Sequence, residues 1–177
     1  MKRLFLAFSF LVAANVALAD RAFQLSLTPD IAIVPRGETV RGVALNVWGE
    51  NQVNGLSLGF VNGLTGESTG LSWSFIGTYA ESHTGVIWGG FFSHSSGHVV
   101  GWQAGMVNIS QGSLVGLQSG LVNVGKDVKG LQWGLVNYTE NLHGVQIGLV
   151  NIVTSNPWFS EFPNKLATGF PFVNWSF

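Results

Sequence analysis

The sequence predicts an all-β fold, an antiparallel up-and-down barrel of about ten strands, from three observations. A phrase of about fifteen residues recurs down the chain, and its opening glycines fall at positions 42, 55, 70, 85, 101, 116, 130 and 144. Within each repeat the large apolar residues lie two positions apart, which is the period of a β-strand. The segments between these strands are rich in Gly, Ser, Thr and Asn, the composition of turns. Eight repeats therefore predict eight strands.

The first 19 residues have the layout of a secretory signal peptide. Lys2 and Arg3 form a basic start, an apolar stretch follows, and Ala17-Leu18-Ala19 resembles a cleavage site. The apolar stretch is shorter than the roughly 20 residues that a membrane-spanning helix needs. We therefore expect export, followed by a single β-repeat domain over residues 20–177 with its repeats at about 40–152.

The composition argues against several classes of protein. The chain contains no cysteine, so it can form neither disulfides nor a thiolate metal site. Its eight basic and nine acidic residues leave no positive field for nucleic acid. Only 10% of the residues are charged, against about a quarter in ordinary soluble domains. A soluble solenoid needs a hydrated outside, so this low charge favours a barrel that shows its apolar side to lipid.

The two faces of the predicted strands differ in chemistry. Counted from the repeat glycine, positions +1, +3 and +5 are large and apolar, as in Leu131, Trp133 and Leu135. Positions +2 and +4 are polar or small, as in Gln132 and Gly134. In a membrane barrel the first face would contact lipid, and the second would line a narrow lumen.

Two further strands complete the predicted barrel. Residues 22–28 supply one strand before the repeats, and residues 169–177 supply one after them. The total of ten is even, as antiparallel closure with both termini on one side requires. The two long connections, residues 29–40 and 153–168, follow the first and ninth strands and would emerge on the same outer side.

The second long connection is unusually aromatic, because it carries Trp158, Phe159 and Phe162. Exposed aromatic side chains on a loop indicate contact with a partner or with lipid headgroups. Packing as a lid over the barrel mouth is an equally open interpretation. These three residues are therefore the predicted loop contact.

The chain ends in a strand with a terminal aromatic residue. Phe177 is preceded at alternate positions by Trp175 and Val173. This pattern resembles the C-terminal assembly signal of bacterial outer-membrane β-barrels. It implies that these three residues engage the barrel-assembly machinery, although an ordinary edge strand that ends in Phe gives the same pattern.

A parallel β-solenoid is the alternative architecture, in which each repeat forms one coil and equivalent residues stack. Two observations count against the barrel. Trp73, Trp88 and Trp133 lie near mid-strand, which suits a packed interior better than a lipid-facing wall. The stripe from +1 to +5 spans roughly 13 Å, short of the apolar band of about 25 Å. The solenoid predicts two ladders of stacked amides, formed by Gln103, Gln118, Gln132 and Gln146 and by Asn108, Asn123, Asn137 and Asn151.

The repeat phrase Gly-Leu/Val-Gln-x-Gly-Leu-Val-Asn resembles a family of exported bacterial surface-repeat proteins that carry it in tandem. Members of that family end in a tail like Pro-x-x-Asn-x-Ser-Phe, which residues 171–177 match. The resemblance covers residues 40–177 and is strong over residues 101–151. It implies placement at the cell surface or in the envelope, and it implies no site residue.

No catalytic, cofactor or metal site is predicted. His83, His94 and His98 could be interpreted as three metal ligands, but turn residues are the simpler interpretation because zinc needs converging ligands. The acidic residues are dispersed about one per turn, so no carboxylate pair for acid–base chemistry is indicated. No Gly-x-Ser-x-Gly elbow precedes a helix. The chain is therefore not predicted to be an enzyme.

The sequence thus predicts an integral β-barrel of the bacterial outer membrane with a structural, interaction or narrow-pore role. Its expected partners are outer-membrane lipid, the barrel-assembly machinery and an extracellular partner, with no nucleic acid. The alternative is a secreted or surface-attached β-solenoid that acts as an adhesion or binding module through one repetitive face. Cysteines placed at Gln118 and Gln132 separate the two, because these positions stack only in the solenoid.

Overall fold

The computed structural model describes residues 21–177 and is built from β-strands, with no helix among those residues. The predicted signal peptide, residues 1–19, lies outside the described residues. None of the described residues forms a helix with the length and hydropathy needed to cross a bilayer. The strands in chain order are β1 (Phe23–Thr28), β2 (Ile31–Ala32), β3 (Thr39–Gly89), β4 (Phe92–Ser95), β5 (Val99–Ala104), β6 (Val107–Ser119), β7 (Val122–Trp133), β8 (Val136–Val153) and β9 (Gly169–Ser176).

Successive repeats stack as parallel coils, so the fold is a parallel β-solenoid. Gly101 pairs with Gly116, Gly116 with Gly130, and Gly130 with Gly144. Each repeat therefore closes one coil and returns the chain to the same register. The prediction of an all-β fold is confirmed. The antiparallel barrel is wrong, and the solenoid alternative gives the correct architecture.

The barrel prediction failed because a repeat of fifteen residues fits two geometries. It can form one long strand and a turn, or two short strands and two corners. The second holds here: β5 ends at Ala104, a corner follows at Gly105 and Met106, and β6 begins at Val107. A period of two occurs in both geometries, so the period could not distinguish the solenoid from the barrel.

The repeat glycines form a column along one side of the stack, and their backbone requires glycine. Gly116 has a φ of 134° and Gly130 a φ of 137°, values that other residues rarely adopt. A Cβ on Gly116 would also overlap the carbonyl oxygen of Gly101 in the coil below. The same overlap recurs at each of the eight positions. Adjacent coils can approach only because these positions carry no side chain.

Buried amides fill the centre of the C-terminal coils. Gln118 Nε2 donates to Gln103 Oε1 at 3.1 Å, and Gln132 and Gln146 extend this ladder with bonds of 2.7 Å. A second ladder, with bonds of 2.8 to 2.9 Å, joins Asn108, Asn123, Asn137 and Asn151. These are the two ladders that the solenoid alternative predicts.

Smaller polar groups occupy the same space in the N-terminal coils. Asn62 Nδ2 donates to Ser72 Oγ at 3.1 Å, and the hydroxyls of Ser74 and Thr78 lie 2.8 Å apart. Ile87 is fully buried at position +2, one coil before the glutamine ladder begins. The interior therefore changes its chemistry part of the way along the stack.

An apolar column completes the interior on the side away from the amides. It occupies the position two residues before each repeat glycine, and its buried apolar members are Val40, Val53, Val99, Leu114, Val128 and Leu142. Burying a side chain of this size contributes roughly 1.5–3 kcal/mol relative to leaving it exposed. This column is the main apolar core of the described chain.

The N-terminal end of the stack is covered by β1 and β2. β1 pairs in parallel with the start of β3, and β2 pairs antiparallel with the other side of β1. Gln24 is buried there, and its Nε2 donates to the Val34 carbonyl at 2.9 Å and to Asn51 Oδ1 at 2.8 Å. The predicted first strand exists, and residues 29–40 cap the first coil instead of forming an outer barrel loop.

The C-terminal end is covered by β9, which runs antiparallel to β8. Val173 pairs with Ile147, and Asn174 pairs with Gln146. Ala167 is buried beneath this strand, and its carbonyl accepts from Asn174 Nδ2 at 2.9 Å. The predicted last strand also exists. It covers the edge of the last coil, which protects that edge from pairing with other chains, and it does not close a barrel.

Candidate interaction surface

One long side of the solenoid exposes apolar side chains in every coil. We call it the apolar edge and define it by the outward-facing residues between positions +1 and +7 of the repeats, around the corner that joins the two strands of each coil. The corner residue is 44% to 58% exposed throughout. In chain order the eight corner residues are Val47, Phe60, Phe75, Phe91, Met106, Leu121, Leu135 and Leu149.

The charged residues of the repeats lie mainly on the other side of each coil, and Glu50 at position +8 is the one that borders the apolar edge. No ionisable side chain lies between positions +1 and +7 in any of the eight repeats. The second corner, from position +10 to the residue before the next glycine, exposes mainly polar side chains apart from Val100 and Val115, and we call it the charged edge. The acidic and lysine residues of the repeats lie there or at position +8, as Glu50, Glu67, Glu81, Lys126, Asp127, Lys129 and Glu140.

Polarity is inverted at the apolar edge. Asn123 is fully buried, yet Leu121, two residues earlier in the same coil, is well exposed. Asn137 and Leu135 repeat this relation one coil later. The apolar column lies on the opposite side, beneath the charged edge. The apolar edge therefore places amides inside and hydrocarbon outside, the reverse of an ordinary water-facing wall.

The backbone of the apolar edge is hydrogen bonded within the protein. The Gly120 amide donates to the Trp133 carbonyl at 3.0 Å, and the Leu121 amide donates to the Met106 carbonyl at 2.9 Å. The Trp133 carbonyl also accepts from Asn123 Nδ2 at 3.0 Å. The asparagine ladder thus supplies donors where the corner interrupts the sheet. These backbone groups of the corner need no water to be satisfied.

Aromatic rings stack along the outside of this edge. Phe75 lies edge-on to Phe60 and to Phe91, with centroids 6.0 and 6.2 Å apart. The rings of Trp88 and Trp102 lie 5.8 Å apart. The expectation that the mid-strand tryptophans pack inside is wrong, since position +3 faces outward and Trp133 is 62% exposed.

The predicted assembly-signal residues lie together on β9 or just after it. Val173 pairs with Ile147, and Trp175 donates from Nε1 to the Pro163 carbonyl at 2.8 Å. Phe177 is exposed, and its amide donates to the Asn164 carbonyl at 3.0 Å. These contacts belong to the C-terminal cap. A role as an assembly signal stays a prediction.

The predicted loop-contact residues also belong to this cap and are all exposed. Phe159 lies 6.0 Å from Trp158 and 6.1 Å from Phe170, measured between ring centroids. Phe162 lies 6.3 Å from Trp175. The loop therefore forms an open aromatic cluster over the last coil. The alternative interpretation, a lid over a barrel mouth, does not apply because the solenoid has no such mouth.

The three candidate histidine ligands do not converge. His83 is buried in the apolar column, 3.1 Å from the Gly70 carbonyl through Nε2, and its burial lowers the pKa of its imidazole. His98 Nδ1 lies 2.6 Å from Ser113 Oγ at the charged edge. His94 lies on the other strand of its coil, paired with Ile109. Within residues 21–177 no group of three potential metal ligands comes together.

A polar cluster that the sequence did not suggest joins two N-terminal coils. Tyr79 Oη accepts from Trp48 Nε1 at 3.0 Å and donates to Glu50 Oε2 at 3.2 Å. Arg36 lies 3.7 Å from the same carboxylate oxygen. Burial raises the pKa of the Tyr79 phenol above its ordinary value. The phenol stays neutral at physiological pH, so this cluster is a structural bridge.

The corner was not predicted as the main exposed feature, because position +5 was placed inside one long strand. The signal was available in the pattern of charge. Seven consecutive positions without an ionisable residue, repeated eight times, mark one continuous surface.

No protein-family model matches this chain, and no curated protein or solved structure is significantly similar to it.

Proposed function

We propose that this chain is an exported, non-catalytic binding module of the bacterial cell surface and that its contact surface is the apolar edge. One observation carries the proposal: every repeat exposes an apolar corner, and none has an ionisable residue from position +1 to position +7. Soluble monomers rarely expose continuous apolar patches larger than a few hundred Å². A surface maintained through eight repeats is therefore best explained by a contact that covers it.

The dimensions of the apolar edge suit a contact surface. Stacked strands lie about 4.8 Å apart, so eight coils and two capping strands extend roughly 40 Å. The corner and its flanks are roughly 15 Å wide, since residues rise about 3.3 Å along a strand. The product is on the order of 600 Å², at the upper end of the patches found on monomers.

Export and surface placement rest on the sequence. The layout of residues 1–19 is that of a signal peptide. The repeat phrase and the tail at residues 171–177 resemble those of exported surface-repeat proteins, which supports the same placement. The non-catalytic role rests on the dispersion of acidic residues and on the separation of His83, His94 and His98.

Fractionation of cells that export the full chain tests this function. The wild type is expected in the envelope fraction, and it should stay there after a high-salt wash because the contact is apolar. The triple variant Leu121→Ser, Leu135→Ser, Leu149→Ser should move to the soluble fraction. Val100→Ser with Val115→Ser is the matched control, because these exposed valines lie outside the apolar edge. A wild type that is soluble from the outset would contradict the proposal.

A further inference from the structure

We infer that the apolar edge is covered by the hydrocarbon of a lipid bilayer, with the long axis of the solenoid lying along the membrane interface. This inference rests on the proposed function, because it names the partner of the same surface. It places the apolar edge in the acyl region and the charged edge in water. The protein then lies on one leaflet without crossing it.

The inverted polarity of the edge is the first support. Fully buried Asn123 and Asn137 lie behind the exposed Leu121 and Leu135, so the polar groups turn inward and the hydrocarbon turns outward. In water this arrangement leaves apolar surface unburied. In lipid it buries that surface at no cost in amide solvation, because the ladder bonds of 2.8 Å already satisfy the amides.

The closed hydrogen bonding of the corner is the second support. Hydrocarbon offers no hydrogen bonds, so backbone groups that enter it must be paired within the protein. Val122 N donates to the Met106 carbonyl at 3.0 Å, and Val136 N donates to the Leu121 carbonyl at 2.9 Å. Asn137 Nδ2 donates to the Ile147 carbonyl at 2.9 Å. A protein partner can supply hydrogen bonds of its own and hydrocarbon cannot, so this internal pairing favours a lipid environment.

The edge is also continuous with apolar groups on both caps. Leu25 of β1 is exposed and pairs with Leu45, the +3 residue of the first repeat. Phe172 of β9 is exposed and pairs with Gly148, beside the last corner residue Leu149. Both ends of the stack therefore extend the same surface. A bilayer can contact its whole length at once.

A second copy of the chain fits this surface less well. Two apolar grooves lie on the flank before the corner, one between Leu25 and Phe75 and one between Trp88 and Leu135. A rigid partner would rest on the corner residues beside these grooves, and stable interfaces need about 800 Å² from each partner, more than the roughly 600 Å² of the whole edge. Lipid adapts to the corner and to both flanks. It can therefore cover the full area of the edge.

The charge pattern also predicts how binding depends on the charge of the lipid headgroup. Lysines near anionic headgroups strengthen interfacial binding by about 1 kcal/mol each. Positions +1 to +7 contain no Lys or Arg, and Lys126 and Lys129 lie on the charged edge. Binding should therefore depend on hydrocarbon and hardly on headgroup charge or salt.

Vesicle flotation with the purified protein tests the inference. The wild type is expected to float with vesicles of phosphatidylcholine alone and of phosphatidylcholine mixed with phosphatidylglycerol, with no more than about a twofold difference in partition constant. Lipids brominated in their acyl chains should quench tryptophan fluorescence. This quenching should weaken in Trp133→Ser, because the Trp133 ring is among the most exposed on the edge.

The matched variants sharpen this test. The triple variant Leu121→Ser, Leu135→Ser, Leu149→Ser should lower the partition constant at least about tenfold. Val100→Ser with Val115→Ser should leave it unchanged. Circular dichroism of both variants should match the wild type, since all five side chains are exposed.

Three outcomes would overturn the inference. The wild type could fail to float, the triple variant could float like the wild type, or binding could require the anionic lipid. A wild type that does not float and forms a dimer, which the triple variant converts to a monomer, would make a second copy the occupant. In that case the apolar edge would still be a contact surface and the proposed function would stand. A protein that is monomeric, binds neither vesicles nor a second copy and fractionates as soluble would contradict both the lipid inference and the proposed function.

Discussion

The coils before Gly101 and the coils after it share one backbone and differ in what fills it. Residues 101–153 hold two uninterrupted amide ladders, and their glycines are 14 or 15 residues apart. Residues 42–98 hold a mixed network of serine, threonine and asparagine, with glycine spacings from 13 to 16 residues. The regular half pairs identical groups from coil to coil. The irregular half mixes bonds within a coil, as between Ser74 and Thr78, with bonds between coils, as from Asn62 to Ser72.

This contrast shows which feature specifies the fold. The glycine column runs through both halves and has positive φ in each. The amide ladders are confined to the second half, where equal spacing keeps identical side chains in register. We conclude that the glycines permit the stack and that the ladders reinforce it where the register is strict.

The largest expected effect comes from adding one methyl group to the glycine column. Gly116→Ala should lower the free energy of unfolding by more than about 3 kcal/mol, because the Cβ overlaps a carbonyl and φ is positive. Gly55→Ala, in the irregular half, should cost a similar amount. Chemical denaturation followed by circular dichroism measures both. The control is Gly37→Ala, where a Cβ meets nothing within 4 Å. If Gly55→Ala cost no more than the control, the column would not be common to both halves.

The second-largest effect compares a glutamine inside the glutamine ladder with a glutamine at its end. Gln132→Ile breaks two ladder bonds, to Gln118 and to Gln146, so we expect a loss of about 2–4 kcal/mol. Gln146→Ile, at the C-terminal end of the ladder, breaks one ladder bond and, like Gln132→Ile, one bond to a backbone carbonyl, so about two-thirds of that loss is expected. Urea denaturation of the two variants gives the comparison. Equal losses in the free energy of unfolding would show that the number of ladder bonds does not determine the stabilisation.

The third prediction concerns pH and applies to the irregular half. Burial lowers the pKa of His83 below its ordinary value of 6.5, so the folded state favours the neutral imidazole. Stability should be full above pH 6.5 and fall as the pH drops below it, by at most about 1.4 kcal/mol per pH unit. His83→Val copies the valine found in the same column at Val99 and Val128 and should remove this dependence. Thermal melts between pH 5 and pH 8 would contradict the assignment if both proteins lost stability in parallel on acidification.

The smallest effect on folding is expected at the apolar edge. Phe75→Ser removes two ring contacts from an exposed side chain, so a loss of about 1 kcal/mol or less is expected. Leu135→Ser, in the regular half, should behave alike because its side chain is also exposed. Melting temperatures measured in buffer without lipid provide the comparison. A large loss at either residue would mean that the edge is packed and not exposed.

Much of the local structure could be predicted from the sequence. The period of two correctly separated the inward Gln118 and Gln132 from the outward Leu117 and Leu131, because alternation depends only on strand geometry. The end strands were also placed correctly, at Phe23–Thr28 and Gly169–Ser176. These features depend on neighbouring residues along one strand.

The direction of pairing could not be predicted in the same way. A repeat of fifteen residues has the same sequence whether Gly116 stacks on Gly101 in a parallel coil or lies at the opposite end of an antiparallel neighbour. The identical amides at Gln118 and Gln132 indicate parallel pairing, because only a parallel register brings them together. The low charge and the apolar exterior favoured a barrel, but a solenoid carries both features here. The positions of Trp158 and Phe177 depend on how the C-terminal cap folds. The repeat pattern does not specify that cap.

The two amide ladders differ in direction. Each glutamine donates to the coil before it, as Gln132 does to Gln118, and each asparagine donates to the coil after it, as Asn123 does to Asn137. The side-chain dipoles of the two columns therefore oppose each other along the axis. Unlike an α-helix, whose peptide dipoles add from end to end, a stack of these coils gains no net side-chain dipole as it lengthens. Tandem duplication of the repeat thus meets no growing electrostatic cost along the axis of the solenoid.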